Sequence, residues 1–227
     1  MSINQLYHTS LQRLRQLCPS ERITRLRTFA WLIAGIMRSK SVQLSHIALK
    51  IPARAKQTSI VRRFSRLLAN GVLRVREWYA PIARATLHSQ ARSTGELRLI
   101  MDSTKVSFAH QLLLVALAYK RRAIPIGWTW RKGAKGHSSA RVQIALLAYI
   151  RSLLPTNVPV VIVGDSEFEA GELQAQLDEW GWGYVLRQKP NNQVQAPDQR
   201  SWQAFGTLLT RAGQSIWMAG ARLTRKH

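Results

Sequence analysis

The 227-residue chain is predicted to be an α/β protein, a mixed sheet with flanking helices preceded by a small all-α domain. Three observations predict it. Apolar residues recur at helical spacing through residues 1–90, and the pattern turns strand-like near Ser93-Thr94-Gly95. Beyond that point runs of the two kinds follow in the order β-β-β-α-β-α-β. Strands joined by short links pair antiparallel, and strands separated by helices extend the sheet in parallel through crossovers. The chain divides accordingly into a helical, basic region (1–92), a sheet domain (93–190) and a polar, then β-like region (191–227).

The helical region begins its clearest pattern at Glu21–Met37, where Ile23, Leu26, Ala30, Ile33 and Met37 share one face. A short helix follows Ser41 with Val42, Leu44, Ile47 and Ala48, and Pro52 stops it. A third is expected to start after Thr58 or Ser59 as N-cap and to end at Asn70-Gly71. Its apolar stripe is Ile60, Val61, Phe64, Leu67 and Leu68, with Arg62, Arg63 and Arg66 on or beside the opposite face. Two short helices around a tight, Pro-containing connection, the second rich in Arg, form a helix-turn-helix-like pattern. A solvated basic helix in a plain bundle would read the same way.

In the sheet domain, Leu97–Met101 is an apolar strand ending at Asp102. Gln111–Tyr119 and Ala123–Trp130 are two more, joined as a hairpin by Lys120-Arg121-Arg122. The basic glycine loop 131–137 leads to a helix capped by Ser138 or Ser139. A β-branched strand, Val158–Val163, then ends at Gly164-Asp165. A helix over Ala170–Trp180 and a strand over Tyr184–Arg187 follow, and a last β-like piece spans Ser215–Leu223. Five tryptophans (Trp128, Trp130, Trp180, Trp182, Trp217) are expected to pack in the core or on the sheet.

Charge narrows the partner. Lys and Arg number 34 against 11 Asp and Glu, a formal +23. Such a surface attracts polyanions, with nucleic acid first and an anionic membrane second. The longest apolar run, Phe29–Met37, is about half of the ~20 residues a bilayer requires. One cysteine, Cys18, excludes an internal disulfide and a Cys-rich zinc site. The N-terminus lacks a secretory layout, so a reducing cytoplasmic setting on the nucleoid is expected. The candidate DNA contacts are Arg62, Arg63, Arg66, Lys105, Arg131, Lys132 and Lys135. The loop carrying the last three lacks the Gly-Lys-Ser/Thr ending of a phosphate loop.

With so few acids, position matters. Asp102 and Asp165 each follow a buried-type strand, at the edge where open α/β sheets place active sites. If those strands are parallel neighbours, the carboxylates lie side by side and repel unless a divalent cation joins them. Mg²⁺ or Mn²⁺ suits carboxylate oxygens, and two such ions can serve phosphoryl transfer. Either aspartate alone could simply begin a turn. Glu167 lies near the same edge, and Glu169 and Glu172 suit the first turn of a helix.

The residues Leu99-Ile100-Met101-Asp102-Ser103-Thr104, Ile124-Pro125-Ile126-Gly127-Trp128 and Val163-Gly164-Asp165-Ser166-Glu167-Phe168 resemble the DDE transposases of bacterial insertion sequences. The similarity is to the group with a β-rich insertion between the second Asp and the catalytic Glu. It implies an RNase-H-like core with Asp102 and Asp165 as the first two catalytic, metal-binding acids. It also implies two divalent ions, transposon-end and target DNA as partners, and self-association on DNA. Ser166 stands where relatives often have Arg. The third acid would lie on a helix beyond the inserted region. No Glu follows Glu179 in this sequence, so a truncated copy with impaired activity is expected. A DNA-binding remnant without catalysis and an RNase-H-type nuclease are the alternatives.

Overall fold

The computed structural model describes residues 1–107, 109–132, 138–208, 211 and 213–223. The chain forms two compact units, Met1–Ile82 and Ala83–His227. Among the described residues no helix is long and apolar enough to cross a membrane.

The first unit is helical. Helix α1 (Ile3–Leu17) starts in a reciprocal cap, where the Gln5 N–H donates to Ser2 Oγ at 3.2 Å and the Ser2 N–H donates to Gln5 Oε1 at 2.7 Å. Helices α2 (Ile23–Ser39), α3 (Leu44–Ala48) and α4 (Gln57–Leu68) follow, and α5 (Val75–Thr94) contains the division between the units, just after Pro81. Leu32, Ile47, Ala48, Ile51, Ile60, Phe64 and Leu67 form one buried cluster joining α2, α3 and α4. Gly35 permits the close approach of α2 to α3, since a Cβ there would lie 2.5 Å from Ile47 Cγ2.

Helix α4 differs from expectation in two respects. Its N-cap is Lys56, with no side-chain cap, rather than Thr58 or Ser59. Burial of Ile60, Phe64 and Leu67 fixes the helix, and the exposed first turn leaves its free N–H groups to water. Leu68, assigned to the apolar stripe, is exposed. The link between α3 and α4 is also eight residues long (49–56), more than the roughly 3–4 of a helix-turn-helix.

Glu21 ties the α1–α2 turn to the start of α5. Its carboxylate accepts from Arg25 Nη1 at 2.8 Å, from the Arg22 N–H at 2.7 Å and from Trp78 Nε1 at 3.1 Å. Burial alone would raise its pKa, but these donors outweigh burial and hold the carboxyl below its usual range. A depressed carboxyl pKa adds stability above the unfolded-state value, and that stability is lost as pH falls through the folded one. Glu21→Gln is therefore expected to destabilise the first unit by about 1 kcal/mol at pH 7. Urea midpoints of variant and wild type should draw together as pH falls below the ordinary carboxyl range; a gap that does not narrow on acidification would contradict the assignment.

The second unit is built on strands β1 (Leu97–Ser107), β2 (His110–Tyr119), β3 (Arg122–Lys132), β4 (Val160–Gly164) and β5 (Gly183–Leu186). Helices α6 (Ala140–Arg151) and α7 (Gly171–Glu179) connect the later strands. The sheet order is β3-β2-β1-β4-β5, with β1–β2 and β2–β3 antiparallel and β1–β4 and β4–β5 parallel. This is the mixed sheet with flanking helices that the sequence predicted. Along β1, Leu97, Leu99 and Met101 are buried, and Val115, Leu117, Val160 and Ile162 share their face. Leu146, Leu147 and Ile150 of α6 and Leu173 and Leu177 of α7 are buried as well.

Strand β1 runs past its expected end. Ser103, Thr104 and Lys105 pair with Leu113, Leu112 and Gln111, so the polar tail is held by ladder hydrogen bonds to an apolar partner. The polar stretch after Pro190 likewise contains a strand. β6 (Gln193–Gln195), β7 (Gln203–Ala204) and β8 (Arg222–Leu223) form a small sheet in the order β7-β6-β8, with Val194 buried. A short helix, α8 (Phe205–Leu208), follows β7. The β-like piece assigned to Ser215–Leu223 contracts to β8, and Trp217 is 91% exposed. Trp130 is 58% exposed as well, so neither of these two tryptophans packs in the core.

The β2–β3 hairpin turns on Lys120 and Arg121, both at positive φ (44° and 64°). Two-residue hairpins of this hand favour Asn-Gly, because other L-residues meet a steric cost there. Replacing Lys120→Asn together with Arg121→Gly is expected to stabilise the chain by about 1 kcal/mol. Chemical denaturation reads this directly, and a loss of stability would show the turn to be differently held.

Candidate active site

Strand register decides where the two aspartates fall. The first five residues of β1 each pair with the β4 residue 63 positions later, Leu97 with Val160 through Met101 with Gly164. Asp102 and Asp165, also 63 positions apart, each come directly after the last of these pairs, Asp102 within β1 and Asp165 just beyond the end of β4. Alternation puts Asp102 on the face of Arg98 and Ile100, opposite buried Met101. Asp165 keeps an extended backbone (φ −81°, ψ −170°), and Val163, two residues earlier, is on the exposed side of β4. Both aspartates are exposed.

One oxygen of each is already engaged. Asp102 Oδ1 accepts from the Ser103 N–H at 2.8 Å, and Asp165 Oδ1 accepts from the Glu167 N–H at 2.9 Å. These bonds hold one oxygen of each carboxylate, and both residues are exposed. Across the sheet, Asp102 is level with Leu114 of β2 and Trp128 of β3, which share its face.

Glu167 does not join the pair. Its Oε1 accepts from the Ser138 N–H at 2.8 Å and from Ser138 Oγ at 2.7 Å. Buried Gln143 donates through Nε2 to Ser138 O and Oγ, both at 2.9 Å. Ser138 thus anchors the start of α6 to the turn after β4, while Ser139, at the cap position, makes no side-chain cap. Sequence reading missed this role; an adjacent Ser-Ser pair shows only that one of them precedes a helix. Glu169 is also occupied, holding Lys189 Nζ at 2.5 Å and Asn192 Nδ2 at 2.9 Å.

Two oxygens from Asp102 and Asp165 fit a hard divalent cation that takes its remaining ligands from water and substrate phosphate. Among the described residues no group of three or more His, Cys, Asp or Glu could hold a metal ion.

The basic candidates separate. Lys132 pairs with His110 and shares the face of Asp102, next to exposed Trp130 along β3. Lys105 and Arg131 both pair with Gln111, one rung over, on the opposite face. Lys135 lies outside the described residues. In the first unit Arg62 and Arg66 are exposed on α4, one turn apart and away from Ile60, Phe64 and Leu67. Arg63 flanks the buried stripe and is half-buried, its Nε without a hydrogen-bond partner.

No protein-family model matches the chain, and no curated protein does. Among solved structures, it is similar to a chain in the crystal structure of the Mos1 strand transfer complex, at 13% identity and a TM-score of 0.30. The match covers 69% of this chain and 56% of that one. Likeness at that level carries no functional weight, and the reading below rests on register and chemistry.

Proposed function

We propose that the chain is a transposase-type DNA-binding protein whose Asp102 and Asp165 serve metal-dependent phosphoryl transfer at insertion-sequence ends. The observation that supports this most directly is that the parallel β1–β4 register runs up to Met101 and Gly164, the residues immediately before the two aspartates. Oδ2 of each is the oxygen that would hold Mg²⁺ or Mn²⁺. When bound, such ions activate an attacking oxygen and stabilise a leaving one, two ions being expected in a complete site. The chain itself contributes fixed carboxylate orientation, through the Ser103 and Glu167 N–H groups, and a turn locked by Glu167 and Ser138. Its charge of +23 supports DNA, both transposon ends and target, as the partner. Self-association on DNA belongs to the same reading.

A second reading, DNA binding without catalysis, is favoured by one observation: the described acids bring two ligands to the site and no third. Both readings are tested with a labelled duplex carrying the element's terminal inverted repeat, incubated with Mn²⁺. Slow nicking at the repeat end supports the transposase reading. Salt-sensitive binding with no nicking at high Mn²⁺ selects the binding protein, and nicking indifferent to the repeat selects a simple nuclease.

A further inference from the structure

Along the strands from Asp102 toward the β2–β3 turn, about four residues away, a cleft of about 600 Å³ opens. Its floor is Arg98, Ile100, Ala118 and Ala123, the sheet face that also carries Asp102. Its rim is Lys120, Arg121 and Arg122. Arg98 is paired with Glu96 at 2.6 Å, but among the described residues no carboxylate pairs with the three rim cations. All three are exposed.

The backbone adds an independent sign. Lys120 and Arg121 sit at positive φ, where Asn-Gly would be relaxed. Strain of this kind, kept at a cationic tip, is typical of functional positions. Spacing gives the direction. The bulge at Val115/Ala116 puts Arg122, paired with Tyr119, on the opposite face from Lys132, so the turn at Lys120 and Arg121 sets the spacing. That turn and Lys132 lie at the two ends of β3, roughly 30 Å apart along the strand, close to one turn of duplex DNA at ~34 Å. The rung of Asp102 and Trp128 lies between them.

We propose that the Lys120–Arg122 tip and its cleft are a phosphate-binding site for duplex DNA lying along the sheet face that bears Asp102 and Asp165. The proposal rests on the DNA reading above and adds a second contact, remote from the aspartates. A backbone lying there meets the tip at one turn and Lys132 at the next, with a phosphate near the carboxylates. The cleft is concave and rimmed by cations, which favours a phosphate chain over a lipid surface.

The test is the salt dependence of binding to a nonspecific duplex. Each phosphate contact contributes about 0.9 to the slope of log K against log salt. The variant Lys120→Asn/Arg121→Gly is expected to lower that slope by about 1.8 and to weaken binding roughly 50-fold at 0.1 M salt. The control Arg200→Gln/Arg222→Gln removes the same charge from exposed sites in the β6–β7 link and on β8, and should retain most of the slope. The chemical-denaturation midpoint of the turn variant, expected above that of wild type, separates weakened binding from unfolding. Equal slopes in variant and control overturn the proposal. So does selective loss of binding to vesicles of anionic over zwitterionic lipid with the DNA slope unchanged, which assigns the tip to a membrane surface. A wild-type chain that does not bind duplex DNA overturns both this proposal and the function it extends; a turn variant with the wild-type slope overturns this one alone.

Discussion

Asp102→Asn and Asp165→Asn are each expected to abolish measurable Mn²⁺ binding in the DNA complex while leaving DNA affinity intact or slightly raised. Asparagine keeps the shape and the Oδ1 acceptor for the Ser103 or Glu167 N–H, so the turn geometry should survive. What is lost is one negative charge from a site with two. Outer-shell partners of metals typically cost 10–100-fold in affinity when removed, and losing a direct ligand should exceed that. DNA affinity moves the other way because each variant removes a carboxylate facing the phosphates. Manganese titration followed by paramagnetic resonance, alongside salt-dependent DNA binding, separates the two effects. Unchanged metal affinity in both variants would remove the basis for an active site here.

Gly164→Val is expected to cost about 2–4 kcal/mol of stability and to impair metal binding together with it. A Cβ at Gly164 would meet Phe168 Cδ2 at 2.8 Å, Leu186 Cδ2 at 3.1 Å and Phe168 Cβ at 3.3 Å. Phe168 is fully buried and cannot swing away. Its N–H donates to Asp165 O at 3.1 Å, so displacing the ring displaces the aspartate's backbone. Gly164→Ala should show a smaller loss in the same direction, since its single methyl makes fewer of these contacts. Urea unfolding of both variants, with manganese binding in the DNA complex, checks the coupling. A valine variant within about 0.5 kcal/mol of wild type would mean that the turn repacks freely.

Much of the fold was legible because local rules apply locally. The β-branched run ending at Val163, the helical stripe Ile60, Phe64 and Leu67, and the turn at Lys120-Arg121 all declare themselves within a few residues. Boundaries were less legible. Thr58 and Ser59 have good cap chemistry, yet α4 starts at Gln57, because packing of Phe64 sets the helix and a solvated first turn requires no cap. Strand β1 was read as stopping at Asp102, whereas pairing with Leu112 and Leu113 carries it to Ser107. Trp130 and Trp217 were assigned to packing on hydrophobicity alone, a property that does not reveal whether a neighbour covers them.

The sequence by itself determined the chemistry available: a strongly cationic chain, few acids, and two aspartates each following an apolar strand. It also determined, through alternation, which β1 residues share a face with Asp102. Only the tertiary structure decided that the strands before Asp102 and Asp165 are parallel neighbours in matching register, and that Glu167 turns to Ser138. It alone set Lys105 and Lys132 on opposite faces of one sheet. Side-chain alternation is a property of one strand, whereas register between strands is set by the core that α6 and α7 pack beneath them. A shift of one residue in that packing would leave every local pattern intact and separate the carboxylates.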